Sequence, residues 1–112
     1  MSAARLSSEW KQSVPVFAAL GDRTRLELVA RLCPGKPLSI TQLSSGARVT
    51  RQAITKHLHV LAGAGVVQGS RQGREQLWEL HPQQLIAARR CLDSISRQWD
   101  DALARLKTLV EE

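Results

Sequence analysis

The apolar positions of this 112-residue chain fall into four short helical patterns, two strand-like runs and one long helical run at the end. Trp10, Val14 and Phe17 stand at i, i+4 and i+7 and predict a helix over about 9–20, with Pro15 marking either a late start or a kink. Gly21 breaks that helix. Asp22 is suited to cap a second one, whose apolar face is Leu26, Val29, Ala30 and Cys33. "PGKP" at 34–37 ends it, and a short third helix is expected over 41–46 with Ser39 as its cap. Thr50 is the candidate cap of a fourth helix, "RQAITKHLHVLAGAG", which Gly63 and Gly65 stop. "VVQGSR" and "EQLWEL" then alternate as the two strands of a hairpin turned at Gln72–Arg74, where Gly73 can supply the positive φ of a tight turn.

From Pro82 onward Leu85, Ala88, Leu92, Ile95, Trp99, Ala102, Leu106 and Leu109 step by alternating three and four residues, and Leu103 and Val110 broaden the stripe. This is a heptad pattern on a helix of about 30 residues, or ~45 Å. Such a helix is longer than one small domain covers, so its apolar seam is expected to meet the same helix of a second copy. The pattern as a whole predicts a mainly α fold with a small β-hairpin and a long C-terminal dimerisation helix. A chain of this length has room for one domain. Its 43% apolar content suits an ordered core, and with Trp10, Phe17, Trp78 and Trp99 as the aromatic residues that core must be aliphatic. No apolar run reaches the roughly 20 residues a membrane span needs, and the N-terminus lacks a signal-type apolar stretch, so a cytoplasmic location away from membranes is expected.

Charge sharpens this picture through its placement. Residues 28–74 carry seven basic side chains (Arg31, Lys36, Arg48, Arg51, Lys56, Arg71, Arg74) and no Asp or Glu, within a chain of formal net charge +6. A stretch without carboxylates suits a polyanionic partner, because each carboxylate would repel phosphate. On the fourth helix Ile54, Leu58 and Leu61 form a narrow apolar stripe, while Gln52, Thr55, Lys56 and His59 fall opposite, between about 100° and 200° on the helical wheel. An amide, a hydroxyl, an ammonium and an imidazole can all hydrogen-bond base edges or phosphates. The same wheel separates His57 from His59 by about 200°, so one metal ion cannot hold both. His57 is expected at the edge of the core, half-buried and hydrogen-bonded. The order of short helix, turn (Ala47, Arg48, Val49), outward-polar helix and arginine-flanked hairpin is that of a helix-turn-helix with a wing.

At these residues the chain resembles the winged-helix regulators of the ArsR family. "FAALGDRTRLELVARL" resembles the family's opening signature, "LSITQLSSGARVTRQAITKHLHVLAGAGVV" its helix-turn-helix and "QGSRQGREQLWEL" its wing, together covering about residues 14–80. "QWDDALARLKTLVEE" resembles the final helix of one subgroup. The resemblance implies one winged helix-turn-helix domain over 1–112, with dimerisation helices at 1–20 and 82–112, the helix-turn-helix at 39–65 and the wing at 66–80. It implies a homodimer that represses transcription from a double-stranded DNA operator of two half-sites. The implied DNA contacts are Thr50, Arg51, Gln52, Thr55, Lys56 and His59, with Arg71 and Arg74 on the wing. Val14, Phe17, Leu85, Leu92, Ile95, Trp99, Leu103 and Leu106 are the expected dimer interface.

The departures from the family matter equally. Metal-sensing members place paired cysteines in the third helix, where this chain reads "TQLSSG", or His and acidic ligands on the last helix, where His81 is followed by no second histidine. No metal site, cofactor or catalytic residue is expected, and the chain carries no nucleophile–base pair or phosphate-binding glycine loop of an enzyme. Thiol-sensing members place one cysteine in the second helix and one in the last. Cys33 and Cys91 keep that redox alternative open, although Cys33 comes later than the pattern puts it, and small apolar roles are the ordinary expectation for both. A third class, a winged helix that binds protein rather than DNA, is also compatible with the pattern. The inducing signal, a small molecule or an oxidant, is not legible.

Overall fold

Asp22, Ser39 and Thr50 each stand in extended backbone immediately before a helix, and each accepts a hydrogen bond from the backbone N–H three residues on. They satisfy donors that a helix start leaves without partners, which is why helices begin at these points. The computed structural model describes residues 3–111, with side chains from residue 10 onward; residues 1, 2 and 112 of the expected end helices lie outside the described residues. Its elements are α1 (Ala3–Leu20), α2 (Arg23–Leu32), β1 (Leu38–Ser39), α3 (Ile40–Ser44), α4 (Arg51–Gly63), β2 (Val67–Gln72), β3 (Glu75–Leu80) and α5 (Pro82–Glu111).

Three elements depart from expectation. α1 begins at Ala3 and runs through Pro15 rather than starting after it. The ring removes one helical donor, but Ser13, Val16 and Ala19 are buried on either side of it, and this packing outweighs the local penalty. The sheet also has a third strand: β1 pairs antiparallel with β3 (Leu38↔Trp78, Ser39↔Leu77), giving the order β1-β3-β2. Two residues are too few to show an alternating pattern, so this strand leaves no periodic signal. α3 is shorter than expected, and the Gln42 side chain completes a capping box by accepting the Ser39 N–H at 2.9 Å.

Glycine is required at two joints. After α4, Gly65 has φ +77, its N–H reaches the Ala62 carbonyl, and the Val66 N–H reaches the Leu61 carbonyl at 3.0 Å. This paired closure satisfies the last carbonyls of α4 and turns Val66, fully buried, into the core. At the hairpin Gly73 (φ +63) occupies the first central position and Arg74 the second, joining β2 and β3 in register from Val67↔Leu80 to Gln72↔Glu75.

The core gathers Leu28, Leu32, Leu43, Ile54, Leu58, Leu61, Val66, Val67 and Trp78 between α2, α3, α4 and the sheet. Arg31 ties this unit together from outside. Its guanidinium donates to the carbonyls of Gln42 (2.7 Å), Leu43 (2.8 Å) and Ser45 (3.4 Å), closing the C-terminal end of α3 onto α2. α1 packs along α5, and the side chains buried there are small: Ser13 and Ala19 on one helix, Ala88, Cys91 and Ser94 on the other. Beyond Ile95 the side chains of α5 are exposed, apart from the half-buried Ala102. The radius of gyration is 18.3 Å, against about 13 Å for a compact chain of this length.

Two glycines in one helix end should respond with opposite signs. Gly63 is helical with open space around its missing side chain, so Gly63→Ala is expected to stabilise by about 0.5 kcal/mol. Gly65→Ala places a side chain at positive φ and against Gln84, and is expected to cost about 1–2 kcal/mol. Urea midpoints at constant m value measure both. Arg31→Ala is expected to cost about 1–2 kcal/mol, and Arg31→Lys to recover little of it, because a single ammonium cannot span three carbonyls.

Candidate nucleic-acid interface

Three side chains decide which face of α4 meets solvent. Ile54, Leu58 and Leu61 each have 0% exposure, and their spacing puts them on one stripe. Arg51, Gln52, Lys56 and His59 are thereby carried to the surface and Thr55 to its margin. The two hydroxyls of this face are engaged with backbone. Thr50 Oγ1 accepts the Ala53 N–H at 3.1 Å, and Thr55 Oγ1 donates to the Arg51 carbonyl at 3.0 Å. The side chains of Arg51, Gln52 and Lys56 make no hydrogen bond or ion pair among the described residues, so their donors remain available to a ligand.

Side chains that the sequence did not single out hold α4 in place. The Arg25 guanidinium donates from Nε to the Ala19 carbonyl at 2.6 Å, and its Nη1 lies 3.2 Å from His57 Nδ1. A guanidinium cannot accept, so Nδ1 is the acceptor and His57 carries its proton on Nε2. Asp22 Oδ2 lies 3.9 Å from the same ring nitrogen. The Arg25 backbone N–H, donated to Asp22, holds that carboxyl below its ordinary range, and the Arg25 charge acts in the same direction. His57 is thus the half-buried, hydrogen-bonded histidine that its position beside the apolar stripe predicts. Its neighbour His59 turns to the sheet, where its ring meets Trp78 edge-on (centroids 5.7 Å apart, planes at 89°). Trp78 is buried and sits opposite Gly69, whose missing side chain leaves room for the indole. His59 therefore joins α4 to the wing as well as standing on the outward face.

On the wing, Arg71 is exposed and pairs in register with Gln76, while Arg74 lies in the turn itself, so both guanidinium groups flank one tip. Of the seven basic side chains between residues 28 and 74, Arg31 is consumed by α3, while Arg51, Lys56, Arg71 and Arg74 remain exposed. Cys33 is exposed at the end of α2 and Cys91 is buried on α5, with no disulfide between them. No helix among the described residues is long and apolar enough to cross a membrane.

Comparison with known proteins agrees with this geometry. Residues 20–69 match a helix-turn-helix domain family. The chain is 34% identical over 104 residues to the HTH-type transcriptional regulator Rv2034 of Mycobacterium tuberculosis, spanning 93% of this chain and 94% of that one. It is 32% identical over 88 residues to the HTH-type transcriptional repressor SmtB of the same organism, covering 79% of this chain and 63% of that one. Among solved structures, an ArsR-like transcriptional regulator from Rhodococcus sp. superposes with a TM-score of 0.72 at 35% identity, covering 89% of this chain and 93% of that chain. With a capped, outward-polar α4, a two-arginine wing and a relative matched along nearly its whole length, the chain belongs to the ArsR family of winged helix-turn-helix, DNA-binding transcriptional regulators.

Proposed function

We propose that the chain acts as a homodimeric, sequence-specific repressor in the cytoplasm, working by binding rather than catalysis. Each copy lays α4 in the major groove and sets its wing against the adjacent backbone or minor groove. The observation that carries this reading is the outward face of α4: Arg51, Gln52 and Lys56 stand there exposed, their side chains without a partner among the described residues and with no carboxylate on the helix. The two arginines at the wing tip extend the same cationic surface. That the SmtB relative is a repressor by name supports repression rather than activation.

Dimerisation rests on α5. Leu92, Trp99, Leu103, Leu106, Leu109 and Val110 are exposed along it, Trp99 at 64%. Leu85 and Ile95 are partly buried within the chain, and Phe17 packs at the edge of the core, whereas Val14 is open. α1 and α5 also leave a hollow of about 220 Å³ lined by Trp10, Val14, Phe17, Cys91 and Ile95. An exposed apolar surface this extended marks a site of association, and a second copy offers the complementary seam. A two-fold pair would place the two α4 helices about 34–36 Å apart, one turn of DNA.

Fluorescence anisotropy with a duplex from the promoter upstream of the chain's own gene, over a salt series, tests the DNA reading. Arg51→Ala with Lys56→Ala is expected to weaken binding at least tenfold and to flatten the plot of log K against log salt by about 0.9 for each phosphate that is no longer neutralised. Unchanged affinity and slope would remove α4 from the interface. Sedimentation equilibrium should give twice the 12.4 kDa chain mass. Leu103→Glu with Leu106→Glu should return it to one chain mass while leaving helix content intact.

A further inference from the structure

The Thr55 hydroxyl is already used inside the helix, and this changes what Thr55 can offer a ligand. Oγ1 donates to the Arg51 carbonyl one turn back, at 3.0 Å. Threonine carries two heavy atoms on Cβ, so fixing Oγ1 against the preceding turn also fixes Cγ2. The methyl then occupies a staggered direction in which longer helical side chains project from the axis. Thr55 is partly exposed, on the margin between the buried stripe and the outward face, and Arg51, Gln52 and Lys56 surround it with hydrogen-bond donors. Thr50 is committed in the same way, as the cap on Ala53. At the edge of the polar face of α4, Thr55 thus presents a methyl group rather than a free hydroxyl.

We propose that Thr55 determines specificity through that methyl: it packs against the C5-methyl of a thymine in the major groove and does not hydrogen-bond a base. This rests on α4 being the groove-binding helix. Thymine is the base whose major-groove edge carries a methyl, and threonine methyls are among the groups that contact it. The hydroxyl, kept on the Arg51 carbonyl, also spares the helix a desolvated donor facing that methyl.

The test uses the full chain and a duplex enriched by it from a randomised DNA library. Each thymine of the enriched half-site is replaced singly by deoxyuridine, which removes only the methyl, and dissociation constants are compared for wild type, Thr55→Val and Thr55→Ser. One position per half-site should weaken wild-type binding by about fourfold, the ratio that withdrawing one methyl-sized group from an apolar environment corresponds to. Thr55→Val, which keeps the methyl and lacks the hydroxyl, should retain both the affinity and the deoxyuridine effect. Thr55→Ser, which keeps the hydroxyl alone, should bind more weakly by a similar factor and become indifferent to the substitution at that position. If Thr55→Ser binds as well as wild type and Thr55→Val does not, the hydroxyl is the reader and the proposal is overturned while DNA binding stands. If wild type enriches no sequence at all, both this proposal and sequence-specific binding fail.

Discussion

The surface that α4 shows to solvent is set by the burial of Ile54, Leu58 and Leu61. Each such side chain stabilises the folded chain by about 1.5–3 kcal/mol relative to exposure. A rotation of α4 by one residue, about 100°, would bring these three into water and drive charged or amide groups inward. No second stripe competes: Val60, the other aliphatic residue of comparable size on the helix, stays largely exposed. The identity of the outward residues is therefore fixed by what the opposite side must hide, and the chemistry of the interface is a consequence of packing.

Polar contacts then remove the freedom that apolar packing leaves. A greasy stripe sets rotation well but resists sliding along the helix axis poorly. The Arg25–His57 contact near the middle of α4 and the His59–Trp78 contact half a turn further resist that sliding from two sides, one toward α2 and one toward the sheet. Arg31 performs the same office for α3 by holding its terminal carbonyls. A cation counted by charge alone looks available to phosphate. The structure separates Arg31, spent on backbone, from Arg51 and Lys56, which are not.

Helix order, the capping residues, the hairpin and the apolar stripe of α4 were legible in the sequence because each rests on local spacing or on a residue's own conformational preference. Asp22, Ser39, Thr50 and Gly73 do what such residues do in any chain. β1 was not legible, since two residues carry no period and its pairing partner lies far along the chain. The inward face of α5 was not legible either, for another reason. Its buried line is Ala88, Cys91 and Ser94, and small or polar residues in a close helix packing do not register as an apolar seam. The outward polar set on α4 could be named from the wheel. That two of its hydroxyls are turned back onto the backbone, and that one histidine leans on a tryptophan, required side-chain geometry.

The Arg25 guanidinium gathers three separate bodies at one planar group: the last turn of α1 through Ala19, the start of α2 that carries it, and α4 through His57. Loss of that one side chain would release the end of α1 and the middle of α4 together. The aim of the outward residues thus depends on a group that is not among them and never reaches their surface.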